Sequence, residues 1–127
     1  MPQTLAASAA TTFFRDKVLT NAAVVADTDS GAIRMIDCDN TANTGAVTYF
    51  KLYNLAAASV VFHASTPGSS TNPYIVIPAT AGKRIVVTVD TADVIFSAAI
   101  SCAAVTTGGT LGTSAPSTVV GVRMLLS

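Results

Sequence analysis

From Val18 onward, the sequence consists of short runs of apolar and β-branched residues separated by clusters of turn-forming residues. Runs of this length and spacing predict strands, because helices need longer stretches with a different apolar period. The clearest turns fall at residues 27–31, 39–45 and 66–73, which are rich in Asp, Asn, Ser, Gly and Pro. About eight strands at such spacing predict an all-β, single-domain β-sandwich with jelly-roll-like connectivity.

Alternation within the runs predicts which side chains share a face of a sheet. In the run 32–38, alternation places Ile33 with Met35 and Asp37 on one face, opposite Cys38. Residues 94–105 are predicted to form one long apolar strand. Pro78 is predicted to end the strand at residues 74–77. The predicted strands cover residues 18–26, 32–38, 47–53, 59–63, 74–77, 85–89, 94–105 and 119–126, with a polar break inside the first and a Gly/Thr/Ser loop at 106–116.

The chain carries little charge for its size, which limits the partners it could attract. Of its 127 residues, 50% are hydrophobic and 11% are charged, and the formal net charge is zero. The basic residues are scattered, so we expect no nucleic acid and no anionic membrane as a partner. A weakly charged surface suits a protein that is packed against its own copies or against a larger assembly.

The N-terminal segment 1–16 is predicted to be an arm, followed by the sandwich domain at residues 17–127. It is rich in Ala, Ser and Thr and carries the adjacent aromatic pair Phe13 and Phe14. Leu5, Phe13 and Phe14 are the candidate interface residues, because a terminal segment is ordered only where it is tied down. In the alternative, the Phe pair covers the protein's own core.

The groups needed for catalysis or metal binding are sparse. His63 is the only histidine, and no nucleophile motif accompanies it. Cys38 and Cys102 are expected to be buried free thiols, since two cysteines make no disulfide framework. Paired carboxylates at 27/29, 37/39 and 90/93 are interpreted as turn and strand-end residues, because no Glu is available to complete a calcium loop. The glycine-rich stretch 108–112 lacks the residues that complete a phosphate loop. We therefore expect no enzymatic activity, no cofactor and no bound metal.

Membrane insertion and secretion are also not expected. The sequence has no run of eighteen apolar residues that could span a bilayer. Its first residues lack the basic region and continuous apolar core of a signal peptide. We expect a soluble protein that is made in the cytoplasm.

One segment resembles a known group of proteins. Residues 48–54, Thr-Tyr-Phe-Lys-Leu-Tyr-Asn, are similar to the YxKLYN-type strand of small virion proteins of tailed bacteriophages. In that group an apolar strand with a Pro near its end, a Gly turn and further strands follow, and residues 74–78, 81–85, 94–101 and 119–125 are similar. The resemblance covers about residues 45–127 and implies a structural protein of the virion with no enzymatic activity.

The first functional hypothesis is a capsid decoration, or cement, protein located in the virion and assembled in the host cytoplasm. Its partners would be the major capsid protein and its own copies, as a homotrimer that matches local shell symmetry. Alternatives are a tail, head-fibre or receptor-binding component of the same particle. A small carbohydrate-binding module is a third hypothesis, which would need exposed aromatic side chains or a calcium site among the Asp turns.

Overall fold

The computed structural model describes residues 12–62, 70–89 and 95–126 of the chain. These residues contain nine strands and one short 3-10 turn, and no longer helix. The strands are β1 (Thr12–Leu19), β2 (Val24–Asp27), β3 (Gly31–Asp39), β4 (Thr48–Tyr53), β5 (Ile75–Ala79), β6 (Arg84–Thr88), β7 (Ile95–Phe96), β8 (Ile100–Val105) and β9 (Val120–Leu126), with the 3-10 turn at Ala57–Ser59.

The strands form two antiparallel sheets that pack face to face. The larger sheet has the order β1-β9-β3-β6, and β7 pairs with the start of β3. The smaller sheet has the order β2-β8-β4-β5. The predicted all-β sandwich is therefore confirmed, whereas the jelly-roll connectivity stays a prediction.

The core lies between the sheets and is made of alternate residues from the strands. In β9, every second residue from Val120 to Leu126 is fully buried, as alternation predicts. The buried residues of this core are Leu19, Ile33, Ile36, Cys38, Phe50, Leu52, Ala79, Phe96, Ile100, Cys102, Ala104, Val120, Val122, Met124 and Leu126.

A β-bulge in β3 changes which side chains enter the core. One step along β9, from Leu126 to Leu125, corresponds to two steps along β3, from Ile33 to Met35. The extra residue shifts the alternation, so that Ile33 and Cys38 both face the core. The prediction that Ile33 shares a face with Met35 was wrong, because strict alternation assumes an uninterrupted ladder.

Other predicted strands also differ from the structure, and residues 59–62 of the predicted strand 59–63 form no strand. The run 94–105 is not one strand, because β7 pairs with β3 in one sheet and β8 pairs with β4 in the other. The chain changes sheets between them, which apolar periodicity cannot indicate. β5 continues through Pro78 to Ala79, since β5 is an edge strand and the missing N–H of proline need not pair there.

The first described residues belong to the larger sheet. β1 begins at Thr12 and pairs with β9 from Thr12 to Asp16. The predicted arm of residues 1–16 therefore does not extend to residue 16, because its last part forms a strand whose partner lies at the other end of the sequence. Leu5 lies outside the described residues.

Candidate docking face of the larger sheet

The central strand β4 of the smaller sheet is covered on its outer face by the chain itself. Lys51 of β4 is fully buried there, and its Nζ donates a hydrogen bond of 2.7 Å to the carbonyl oxygen of Leu111. Gly108 lies directly over the ring of Tyr49, so that a Cβ added at Gly108 would be 2.9 Å from Tyr49 Cε1. The loop of residues 106–116 thus forms a lid over β4.

Further contacts cover this face next to Tyr53 and Ser101. The Tyr53 ring packs edge-on against Phe62, with 5.9 Å between the ring centroids. The hydroxyl of Ser101 donates a hydrogen bond to the carbonyl of Leu55. Burial raises the pKa of Tyr53 to about 12 and lowers the pKa of Lys51 from its usual value of 10.5. These side chains stabilise the fold and do not present a binding surface.

The outer face of the larger sheet carries partly exposed apolar side chains. Cross-strand pairing aligns Phe13, Leu125, Met35 and Thr88 in one row across β1, β9, β3 and β6. Phe13 is 57% exposed and is the largest exposed apolar side chain of the row. A large aromatic residue in this position is available to a partner.

Two neighbouring rows of the same face carry charged residues. The second row contains Arg15, Arg123, Asp37 and Val86, and the third places Gly121 beside Asp39 and Arg84. We call these three rows together the docking face. It combines apolar and charged side chains, as protein interfaces do.

Asp37 organises the centre of the docking face. Its side chain is only 5% exposed and lies between two guanidinium groups. Arg123 donates to Asp37 Oδ2 through Nε at 3.1 Å and through Nη2. Arg84 Nε lies 3.0 Å from Oδ1, close enough for an ion pair although its N–H is not aimed at that oxygen. The buried carboxylate is thus neutralised by two arginines, which offsets its loss of hydration.

Asp39 anchors the opposite end of the charged rows. Its Oδ2 accepts a hydrogen bond of 3.0 Å from Arg84 Nη2. The hydroxyl and the backbone N–H of Thr41 donate to Oδ1. These bonds with Thr41, followed by the charge of Arg84, lower the pKa of Asp39. The carboxylate is therefore ionised across the neutral pH range.

A groove of about 280 Å³ runs along the charged side of the docking face. Arg15, Lys17, Arg84 and Arg123 line it, together with Asp37 and Asp39. Asp16 also borders the groove, but its register with core-facing Val122 places its side chain on the inner side of the sheet. Gly121 forms part of its floor, where a Cβ would lie 3.2 Å from the backbone carbonyl oxygen of Asp16. Within the described residues, Arg15 and Lys17 form no ion pair. They are the cations that remain available to a ligand.

The structure separates the two predicted interface aromatics. Successive residues of a strand face opposite sides of a sheet. Phe14 consequently packs against the core, whereas Phe13 lies on the docking face. Whether Phe13 contacts a partner stays a prediction.

The other candidate residues of the sequence are the two cysteines, the paired Asp residues and His63. Cys38 and Cys102 are buried free thiols, and burial raises the pKa of Cys38 to about 12 and raises that of Cys102 as well. Asp27 accepts a hydrogen bond from the backbone N–H of Asp29, as expected of a turn. His63 and the 90/93 pair lie outside the described residues. Among the described residues, no group of His, Cys, Asp or Glu side chains is arranged to hold a metal.

Sequence reasoning missed the charged rows and the burial of Lys51. Asp37 and Arg123 are 86 positions apart, so only the strand order brings them together. Tyr49–Phe50 before the lysine and Leu52–Tyr53 after it place large apolar or aromatic side chains on both faces, which was a signal that β4 is covered on both faces.

Comparison with known proteins found no matching family model, no similar curated protein and no similar solved structure. The part of the chain that the structure describes also contains no helix able to span a bilayer.

Proposed function

We propose that this chain is a capsid decoration protein of a tailed bacteriophage, which binds the outer shell formed by the major capsid protein. The observation that carries the proposal is the contrast between the two outer faces. On the smaller sheet the lid covers the central strand β4 around Lys51, whereas the larger sheet presents Phe13 beside charged rows. A small sandwich with one open, mixed face is suited to docking on a large flat assembly.

The strand order supports a jelly-roll connectivity, which we include in the proposal. If the two-residue strand β7 is set aside, the other eight strands can be renumbered along the chain. The sheets then read 1-8-3-6 and 2-7-4-5, the alternation produced by two Greek keys. Jelly rolls occur in viral capsid proteins but also in lectins, so the function rests on the docking face and on the resemblance of residues 48–54.

Decoration in this form requires no chemistry. A protein that binds only the assembled shell stabilises that state by mass action. We propose that it acts as a homotrimer, since a closed cyclic oligomer can match the local symmetry of a shell. The apolar row around Phe13 would supply buried area, and the charged rows would set the orientation.

The test is the copy number of the protein in purified particles, measured by quantitative mass spectrometry against the major capsid protein. Hundreds of copies per particle are expected for lattice-wide decoration. A few copies to a few dozen would contradict that role and favour the tail, head-fibre or receptor-binding alternative. Absence from particles would overturn a virion role and return attention to the carbohydrate-binding hypothesis.

A further inference from the structure

We infer that the groove beside Gly121 binds carboxylate side chains from an acidic segment of a partner protein. The inference deepens the proposed function and rests on it, because it names the chemistry of the partner surface that the docking face meets. The site is defined by Arg15, Lys17, Arg84 and Arg123 around the glycine floor.

The first argument is an unfavourable pair of like charges. Arg15 of β1 lies directly opposite Arg123 of β9, with both side chains on the outer face. Like charges in directly opposed positions destabilise a sheet unless a counter-ion lies between them. Asp37 bonds to Arg123 from β3, which lies on the other side of β9 from β1. Its carboxylate therefore does not lie between Arg15 and Arg123. A carboxylate between Arg15 and Arg123 would relieve this repulsion.

The second argument is the charge balance of the groove. Its lining has four cations, while only the carboxylates of Asp37 and Asp39 share their face of the sheet. Asp37 and Asp39 are already paired with Arg84 and Arg123, while Asp16 accepts a hydrogen bond from the backbone N–H of Val18. Arg15 and Lys17 therefore supply the positive charge that a ligand would neutralise.

The third argument is the size and shape of the groove. A volume of about 280 Å³ accommodates one or two acidic side chains. Nucleic acid is disfavoured, because Asp37 and Asp39 would lie against its phosphates and affinity for a duplex needs many phosphate contacts. The acidic segment of a protein fits both the charge and the dimensions.

The experiment titrates the purified protein at low salt with a capped hexaglutamate peptide and follows backbone amide signals by NMR. We expect shifts at Gly121 and at its neighbours, and we expect salt to weaken the binding. The double variant Arg15→Gln/Lys17→Gln should bind about tenfold more weakly, since it removes two rim charges. The variant Asp39→Asn should bind more tightly, because it removes a competing carboxylate.

Lys83→Gln is the matched control. Lys83 is an exposed cation close in sequence to Arg84, and it does not line the groove. An equal loss of affinity in Lys83→Gln and in the double variant would overturn the inference in favour of unspecific attraction. No shift at Gly121, or tighter binding of an oligothymidylate than of hexaglutamate, would also overturn it.

The inference and the proposed function can fail separately. If the protein is abundant in particles but Arg15→Gln/Lys17→Gln decorates depleted shells as well as the native protein, the function stands and the carboxylate site is rejected. If hexaglutamate binds in the groove but the protein is absent from particles, the site stands and the decoration role is rejected.

Discussion

The ammonium group of Lys51 is fully buried and donates its one described hydrogen bond to the carbonyl oxygen of Leu111, 2.7 Å away. The two residues are 60 positions apart, so this bond fastens the lid loop to the central part of the smaller sheet. Burial of an amine disfavours its charged form, which is why the pKa of Lys51 is lowered.

Lys51 should make stability depend on pH in the alkaline range. At pH values below the lowered pKa of Lys51 in the folded protein, the residue is charged in both the folded and the unfolded state. The full cost of burying the charge is then present. As the pH rises from that value to 10.5, the unfolded chain holds more proton than the folded one, so the free energy of unfolding rises. Subtracting the urea-unfolding free energy of Lys51→Met from that of the native protein should give a difference that increases with pH. The subtraction cancels the opposite alkaline effects of Tyr53 and Cys38, and a flat difference would contradict the prediction.

The approach of Gly108 to Tyr49 should make this glycine hard to replace. A Cβ there would lie 2.9 Å from the ring of Tyr49, so the lid must move in Gly108→Ala. We expect a loss of about 1–3 kcal/mol in the free energy of unfolding, as for other overpacked sites. Gly45→Ala is the matched control, because a Cβ at Gly45 meets nothing within 4 Å. Denaturant unfolding of both variants checks the prediction, and equal losses would show that the lid is not closely packed.

Phe13 and Phe14, the adjacent aromatic residues of β1, should differ in their effects on stability and on attachment to shells. Phe14→Ala should lower the free energy of unfolding by about 2 kcal/mol, because Phe14 packs against the core. Phe13→Ala should cost less than about 1 kcal/mol, since the side chain is 57% exposed, but it should weaken attachment to depleted shells. Urea unfolding and a sedimentation assay with shells separate the two effects. Unchanged attachment of Phe13→Ala would remove this residue from the docking face.

Removal of the central carboxylate should destabilise the larger sheet. Asp37→Asn leaves Arg84 and Arg123 without their shared counter-ion, next to Arg15. We expect a loss of about 2 kcal/mol, typical of hydrogen bonds to a charged group whose partners are partly exposed. Asp29→Asn, in an exposed turn, should change stability by less than about 0.5 kcal/mol. A double-mutant cycle with Arg123→Gln measures the coupling, and additive losses would contradict a shared network.

The fold class and several strand faces could be predicted because they depend on local patterns. In β9 every second residue is buried, as alternation predicts, and Phe50 and Leu52 of β4 share one face, which enters the core. The bulge after Ile33 was not predictable, because a bulge is defined by the register of a partner strand. The change of sheet between β7 and β8 was missed for the same reason.

The candidate site was less accessible to prediction than the fold. Phe13 and Phe14 were both predicted as interface candidates, and their separation onto opposite faces required knowledge that β1 is a strand of the sheet. The charged rows come from four strands whose neighbours are distant in sequence. No pattern along the chain indicates that Arg15 would lie opposite Arg123, since that pairing is a property of strand order.

The position of β9 has a consequence for biosynthesis. β9 lies between β1 and β3, so the larger sheet has no continuous ladder until this strand has left the ribosome. During translation the edges of β1 and β3 that face β9 stay unpaired, whereas β3 can already pair with β6, and β4 with β5 and β8. Pairing between the two ends of a chain is slow, because loop closure precedes any gain in contacts. The nascent protein therefore completes the outer face of the larger sheet last, after the smaller sheet can already have formed.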